Sequence, residues 1–203
     1  CLTFPKAINV IAILNTKGLH NINVKMIFEE QVVYEVDHSM RPKLAYQGWY
    51  NWFFSERRVK KDLVDLNLPA YPGASIEITL EGVGDISVGA ILFGQQRRFG
   101  YGIQYGAGSG IMSYSRIRRD EDTGDLELFK RPSARRMSMN LIMPNKEADS
   151  VHHFMEEIES TPVLLVGHKN YDMFTGYGIV KNFEVVIPDY SESECSIDFE
   201  GFI

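Results

Sequence analysis

Cysteine is scarce in this sequence: Cys1 and Cys195 are the only two in 203 residues. Two cysteines make neither a disulfide framework nor, by themselves, a zinc site. Histidine is also sparse, and His20, His38, His152, His153 and His168 include no H-E-x-x-H spacing. On a helix the adjacent His152 and His153 diverge by about 100°, so a structural or surface role is expected for them rather than ligation. Long apolar runs are missing. Stretches such as Ile8–Leu14 and Val163–Val166 have strand length, so no membrane insertion is expected. An excess of positive charge is missing too. The net charge is −6, which argues against nucleic acid as the main partner, because phosphate binding needs a basic surface.

Catalytic signatures are absent as well. There is no G-x-S-x-G elbow. The passage Gly106-Ala107-Gly108-Ser109-Gly110 is followed by strand-like residues, not by the helix that a phosphate cradle opens, and it reads as a glycine linker. Asp120-Glu121-Asp122-Thr123-Gly124-Asp125 lacks the twelve-residue calcium loop with its distal Glu, and it reads as a solvated hairpin turn. Carboxylate pairs occur throughout an acidic chain, and spacing alone assigns none to glycoside hydrolysis. The expectation is a non-enzyme with no catalytic residue, no cofactor and no metal. Cys1 stands where Met would be expected. A trimmed chain, with sequence preceding it, is expected rather than a lipidated terminus.

What the sequence does hold is β grammar. Ile8–Leu14 is apolar and β-branched, and Asn15-Thr16-Lys17-Gly18 breaks it. Ile22, Val24 and Met26 then alternate along one strand face, and residues 32–36 form another short strand. Residues 75–81 alternate with Ile76, Ile78 and Leu80 inward. Residues 86–93 are expected to pair with them across Glu81-Gly82-Val83-Gly84-Asp85. Strands about ten residues apart suggest a sandwich over 1–93. Six glycines between Gly94 and Gly110 read as a connector over 94–111.

Residues 112–203 are expected to form an antiparallel β unit with one helix near 147–160. Met112–Arg119 and Leu126–Lys130 read as a hairpin. Met137–Met143 is a strand ended by Pro144-Asn145. In the helix Val151, Phe154, Met155 and Ile158 form one apolar stripe, with Asn145 or Asp149 as cap and Pro162 as stop. Three strands follow, at Val163–Val166, Tyr177–Ile187 and Cys195–Ile203. In the last, Cys195, Ile197, Phe199, Gly201 and Ile203 share a face, and Ser196, Asp198 and Glu200 face out.

Two features point to binding. The first is the aromatic density at residues 44–54. Burial is its expected use. The alternative is a glycan platform of Tyr46, Trp49, Tyr50 and Trp52, since sugar rings stack on aromatic faces. The second is a charge asymmetry. Nine basic residues stand against five acids between Arg97 and Arg136 in an otherwise acidic chain. Arg97, Arg98, Arg116, Arg118, Arg119, Arg131, Arg135 and Arg136 are candidate subunit contacts. Their guanidinium groups suit bidentate pairing with a neighbour's carboxylates. Lys130 completes the basic set, and a solvated hairpin is the alternative.

In order along the chain, several segments resemble a family of tailed-bacteriophage tail-tip or baseplate proteins often labelled carbohydrate-binding. They are residues 74–79 and 88–94, the glycine-aromatic passage 100–106 with Gly110-Ile111, and Ser113-Tyr114-Ser115-Arg116. The ending adds Thr161–Gly167, Tyr177–Phe183 and Cys195–Ile203. The resemblance covers most of residues 45–203. It implies a jelly-roll or galactose-binding-like first half and a second half like tail-tube and distal-tail proteins. It also implies a structural place in the virion tail, made in the host cytoplasm. Implied partners are other tail proteins and copies of the chain in a ring, with a host-facing sandwich. The alternative is a module that binds a host-surface glycan.

Overall fold

The computed structural model describes residues 2–3, 7–41, 49–54, 60–119, 125–168 and 171–202. The chain forms two units, Cys1–Arg97 and Arg98–Ile203, both built mainly of antiparallel strands. The acidic turn residues 120–124, Tyr46, Cys1 and Ile203 lie outside the described residues.

The first unit contains β1 (Leu2–Thr3), β2 (Val10–Leu14), β3 (Lys17–Phe28), β4 (Gln31–Ser39) and the helix α1 (Trp49–Phe54). It continues with β5 (Leu63–Asp65), β6 (Ser75–Ser87) and β7 (Ala90–Gly94). One sheet has the order β1-β6-β3-β4 and the other β5-β2-β7. They share a core, so the unit is a β-sandwich. The period-two faces read from the sequence are the ones buried. Ile22, Val24 and Met26 on β3 and Ile76 on β6 meet Ile11 and Ile13 on β2. Each such aliphatic side chain contributes roughly 1.5–3 kcal/mol on leaving water.

Strand pairing departs from expectation in one place. Residues 86–93 do not fold back on 75–81. The strand β6 continues through Glu81–Asp85 to Ser87 with a bulge and stays beside β3, while β7 pairs with β2 in the other sheet. Gly82 in that segment serves a bulged crossing instead of a turn. The register shifts between Lys17 and Asn21, where a Cβ on Gly82 would lie 2.0 Å from the Gly18 carbonyl oxygen.

The second unit contains β8 (Gly108–Ser113), β9 (Arg116–Arg119), β10 (Leu126–Phe129), β11 (Ser133–Pro144) and the helix α2 (Asn145–Glu157). It closes with β12 (Val163–Val166), β13 (Thr175–Val186) and β14 (Glu192–Gly201). Five strands form a sheet in the order β12-β13-β14-β11-β8, and β9 pairs with β10 alone. Met137, Met139 and Met143 of β11 and Cys195, Ile197 and Phe199 of β14 are buried on one face. At one end of that face Ala148 and Val151 of α2 cover it, and at the other Phe174 does. The face of Cys195, Ile197, Phe199 and Gly201 is as expected. Burial pushes the Cys195 thiol up to about 12, so it acts as a small apolar side chain.

Three expectations are corrected here. Gly108–Ser113 is not connector but an edge strand of the sheet, bonded to β11 across six residue pairs. The first hairpin arm is shorter than expected, because Tyr114 and Ser115 separate β8 from β9. Asn145 is the first residue of α2 and not its cap. Its side chain donates to the Asp189 carbonyl (3.0 Å) and accepts from Ser193 Oγ (2.5 Å), pinning the loop before β14. Asp149 lies inside the helix. The apolar stripe does face the sheet, but its deep point is Val151, with Phe154 half-buried against Phe99 at 5.2 Å between ring centroids.

Candidate assembly surface and exposed aromatic helix

The hairpin β9–β10 leaves the second unit between two anchored points. At its root the Ser115 hydroxyl donates to the Arg131 carbonyl (3.3 Å) and accepts from the Arg131 backbone N–H (3.1 Å). Just before it, the Tyr114 hydroxyl donates to Glu200 Oε1 of β14 at 2.6 Å. That bond and Lys181, 3.3 Å away, hold the Glu200 carboxyl below the usual carboxylate range, and the same bond raises the Tyr114 hydroxyl.

Beyond the root, all eight residues of the two strands are exposed. The register sets Ile117 opposite Leu128 and Arg119 opposite Leu126 on one face. Arg116 lies opposite Phe129 and Arg118 opposite Glu127 on the other. Ile117, Leu126 and Leu128 are each about two-thirds exposed, at 67%, 66% and 66%. A two-stranded hairpin is marginal in water without further burial. This arm therefore offers apolar surface and three guanidinium groups with no further layer among the described residues. Next to it, β8 ends the sheet with an open backbone edge on which Ile111 is exposed.

The basic candidates do not all belong together. Arg116, Arg118 and Arg119 sit on the arm, and Arg131 closes its root. Arg136 is exposed on the solvent face of the sheet, opposite Glu200. Arg97 and Arg98 are exposed at the end of one unit and the start of the other. Arg135 must be set apart. It is half-buried, and its Nη1 donates to the carbonyls of Asp172 (3.1 Å) and Thr175, so it is committed to holding its own unit together.

The aromatic cluster is the larger correction. Trp49 is 83% exposed and Tyr50 74%, and Phe53 and Phe54 are also exposed, so these rings are not core. At 100° per residue, positions 49, 50, 53 and 54 fall on one arc of the helix, and that arc faces solvent. Tyr50 and Phe54 lie 4.8 Å apart between centroids. Trp52 lies in α1, but its side chain is outside the described residues, as is the whole of Tyr46. An apolar helix normally turns its rings inward, and sequence periodicity carries no sign of which way such a short helix faces.

Sequence reading missed one polar cluster altogether. Asp65, at the end of β5, is 3% exposed inside the sandwich. Its Oδ2 accepts from the Tyr34 hydroxyl at 2.7 Å and lies 2.9 Å from His38 Nε2, both on β4. Its Oδ1 accepts from the Asn67 backbone N–H at 3.0 Å. Burial opposes the charge on Asp65, yet the bonds from His38, Tyr34 and Asn67 outweigh it and hold the carboxyl below its ordinary value. Burial, and then the bond to Asp65, pushes the Tyr34 hydroxyl up to about 12. The cluster joins β4 of one sheet to β5 of the other. Its one sequence signal is an acid set among Leu63, Val64, Leu66 and Leu68. Among the described residues no group of three or more His, Cys, Asp or Glu side chains is arranged to hold a metal ion. Compared with known proteins, the chain matches no protein-family model and no curated sequence.

Proposed function

We propose that this chain is a structural component of a bacteriophage tail tip or baseplate, present in several copies and joined to its neighbours through the β9–β10 arm. The supporting observation is the arm itself: a rooted hairpin whose two strands are exposed and bear Ile117, Leu126, Leu128 and three arginines. Exposed apolar surface of this kind is a feature of assembling proteins, and the arginines give the encounter direction and register. The ordered resemblance along residues 45–203 supplies the tail as the setting. In this reading the second unit docks into the tail, and the sandwich is available to the host.

The test is to replace Arg116, Arg118 and Arg119 together by Glu. The chain should stay folded, because exposed charges contribute about 0–1 kcal/mol each. A phage lacking the gene, complemented with this variant, should yield defective tails by electron microscopy. Incorporation of the unaltered protein should weaken as salt rises past the point where the screening length falls below about 8 Å. Normal tails and normal titre from the triple variant would overturn the role given to the arm. The rival reading is a host-surface glycan module, and it rests on the exposed rings of α1. A sugar platform needs polar groups placed around the stacking ring, whereas the sequence on both sides of α1 supplies mainly positive charge.

A further inference from the structure

The five-stranded sheet of the second unit has two unlike faces. The inner one is apolar and is covered by α2 and Phe174. The outer one is polar, and strict alternation along β14 gives it Glu192, Glu194, Ser196, Asp198 and Glu200. That is four carboxylates and no cation in five outward positions. Glu200 is already engaged. It accepts from the Tyr114 hydroxyl, Lys181 lies 3.3 Å away, and Arg136 stands across from it on β11. The far end of the strand has no such neighbours. There Glu192 and Glu194, with Glu184 of β13, are exposed, and among the described residues none of the three forms an ion pair. Val186 and Ile142 flank Glu194 on the neighbouring strands, and Val186 is half-exposed.

The arm is the converse of this surface. Strand β9 has three cations and no acid in four exposed residues. Arg116 and Arg118 share one of its faces, where Phe129 stands across from Arg116 and Glu127 across from Arg118. The Phe129 ring is 49% exposed. Residues two apart on a strand lie about 7 Å from each other. Arg116 and Arg118 therefore repeat at the same spacing as Glu192 and Glu194, and a guanidinium meets a carboxylate with two parallel hydrogen bonds. The arm does not serve its own sheet, since β9 pairs with β10 alone and both strands are exposed. A second molecule is required to bring the two surfaces together.

We infer that the acidic end of the outer sheet face, at Glu184, Glu192 and Glu194, receives the β9–β10 arm of a second copy of this chain. Arg116 and Arg118 meet the carboxylates, and Phe129 covers Val186 and Ile142. The inference rests on the assembling role given to the arm and adds the surface that the arm meets. Arm and receptor are different patches of one chain, so the contact is head-to-tail. It propagates into a ring or a filament and does not close as a two-fold dimer.

Sedimentation velocity of the full-length protein tests this. The unaltered chain should associate at low salt and disperse at high salt. Arg116→Glu with Arg118→Glu reverses the arm, and Glu192→Lys with Glu194→Lys reverses the face. Each variant alone should associate more than about tenfold more weakly, because like charges then meet. Both should melt like the unaltered protein, since the sites are exposed. An equimolar mixture of the two should associate again, because each arm then finds an opposite charge on the other variant's face. The milder pair Glu192→Gln with Glu194→Gln should weaken association in the same direction without adding charge. A mixture that stays monomeric would overturn the inference, as would an unaltered chain that is monomeric at low salt. So would a face variant that associates like the unaltered protein. If tails then still fail with the arm reversed, the arm keeps its role and binds a different tail protein; normal tails with the arm reversed would remove that role as well.

Discussion

Replacing Asp65 by Ala should be one of the most damaging single changes in the first unit. The carboxylate is buried and accepts hydrogen bonds from Tyr34 and the Asn67 N–H, with His38 Nε2 2.9 Å away. Removing it strands these polar groups between two sheets and leaves a cavity. Breaking one partner out of a buried charged cluster costs about 3–5 kcal/mol. Calorimetry of the full chain should show the sandwich transition lowered by that amount while the second unit's transition stays in place. The pH dependence gives an independent check. An ordinary aspartate titrates near 3.8, and the folded Asp65 titrates lower. The stability it adds is therefore present above pH 3.8 and is lost as pH falls through the lower folded value. Consequently the stability gap between the unaltered protein and Asp65→Asn should narrow below pH 3.8. At the alkaline end Tyr34 is neutral in the fold up to about 12 against 10 in the open chain. Stability should fall between those values, and Tyr34→Phe should abolish that loss. A cost below about 1 kcal/mol for Asp65→Ala, or a gap that does not change with acid, would refute the account of the cluster as a tie between sheets.

Two further changes test the second unit. Val151→Ala, at the deep point of α2, should cost about 2 kcal/mol, and Phe154→Ala should cost less than the roughly 3–5 kcal/mol of a fully buried Phe, because its ring is half-exposed; equilibrium denaturation of both variants checks the order. Arg135→Ala should destabilise the unit by about 1.5–3 kcal/mol through its bonds to the Asp172 and Thr175 carbonyls, whereas Arg116→Ala should leave the melting temperature unchanged. Equal effects from the two arginines would contradict the separation of a structural from a surface role.

Sequence pattern carried the faces of the elements further than their partners. Ile22, Val24 and Met26 bury together because a strand alternates strictly, and the same rule set Cys195, Ile197 and Phe199 inward. Helical spacing placed Val151, Phe154, Met155 and Ile158 on one stripe for the same reason. Pairing is a non-local property. Nothing within Glu81–Asp85 says that Gly82 permits a close approach to Gly18, more than sixty residues away, instead of helping to reverse the chain. The Asp65 cluster was hidden likewise, since Tyr34, His38 and Asp65 meet only after two sheets have packed. The aromatic helix misled for a different reason. Burial is the commoner fate of such rings, and only the tertiary fold shows that α1 turns its rings outward.

The two protruding features differ in what they leave exposed, and this separates their partners. The β9–β10 arm and the outer edge of β8 present strand backbone as well as side chains, and strand N–H and C=O groups require hydrogen-bonding partners when they are buried. Hydrocarbon supplies none. A protein surface can supply both these bonds and the carboxylates that Arg116, Arg118 and Arg119 would meet. The helix α1 presents the rings of Trp49, Tyr50, Phe53 and Phe54 on one helical arc, and rings need no hydrogen-bonding partner when they are covered. Neither feature is explained by the stability of its own unit, since exposed rings and arginines add little to a fold.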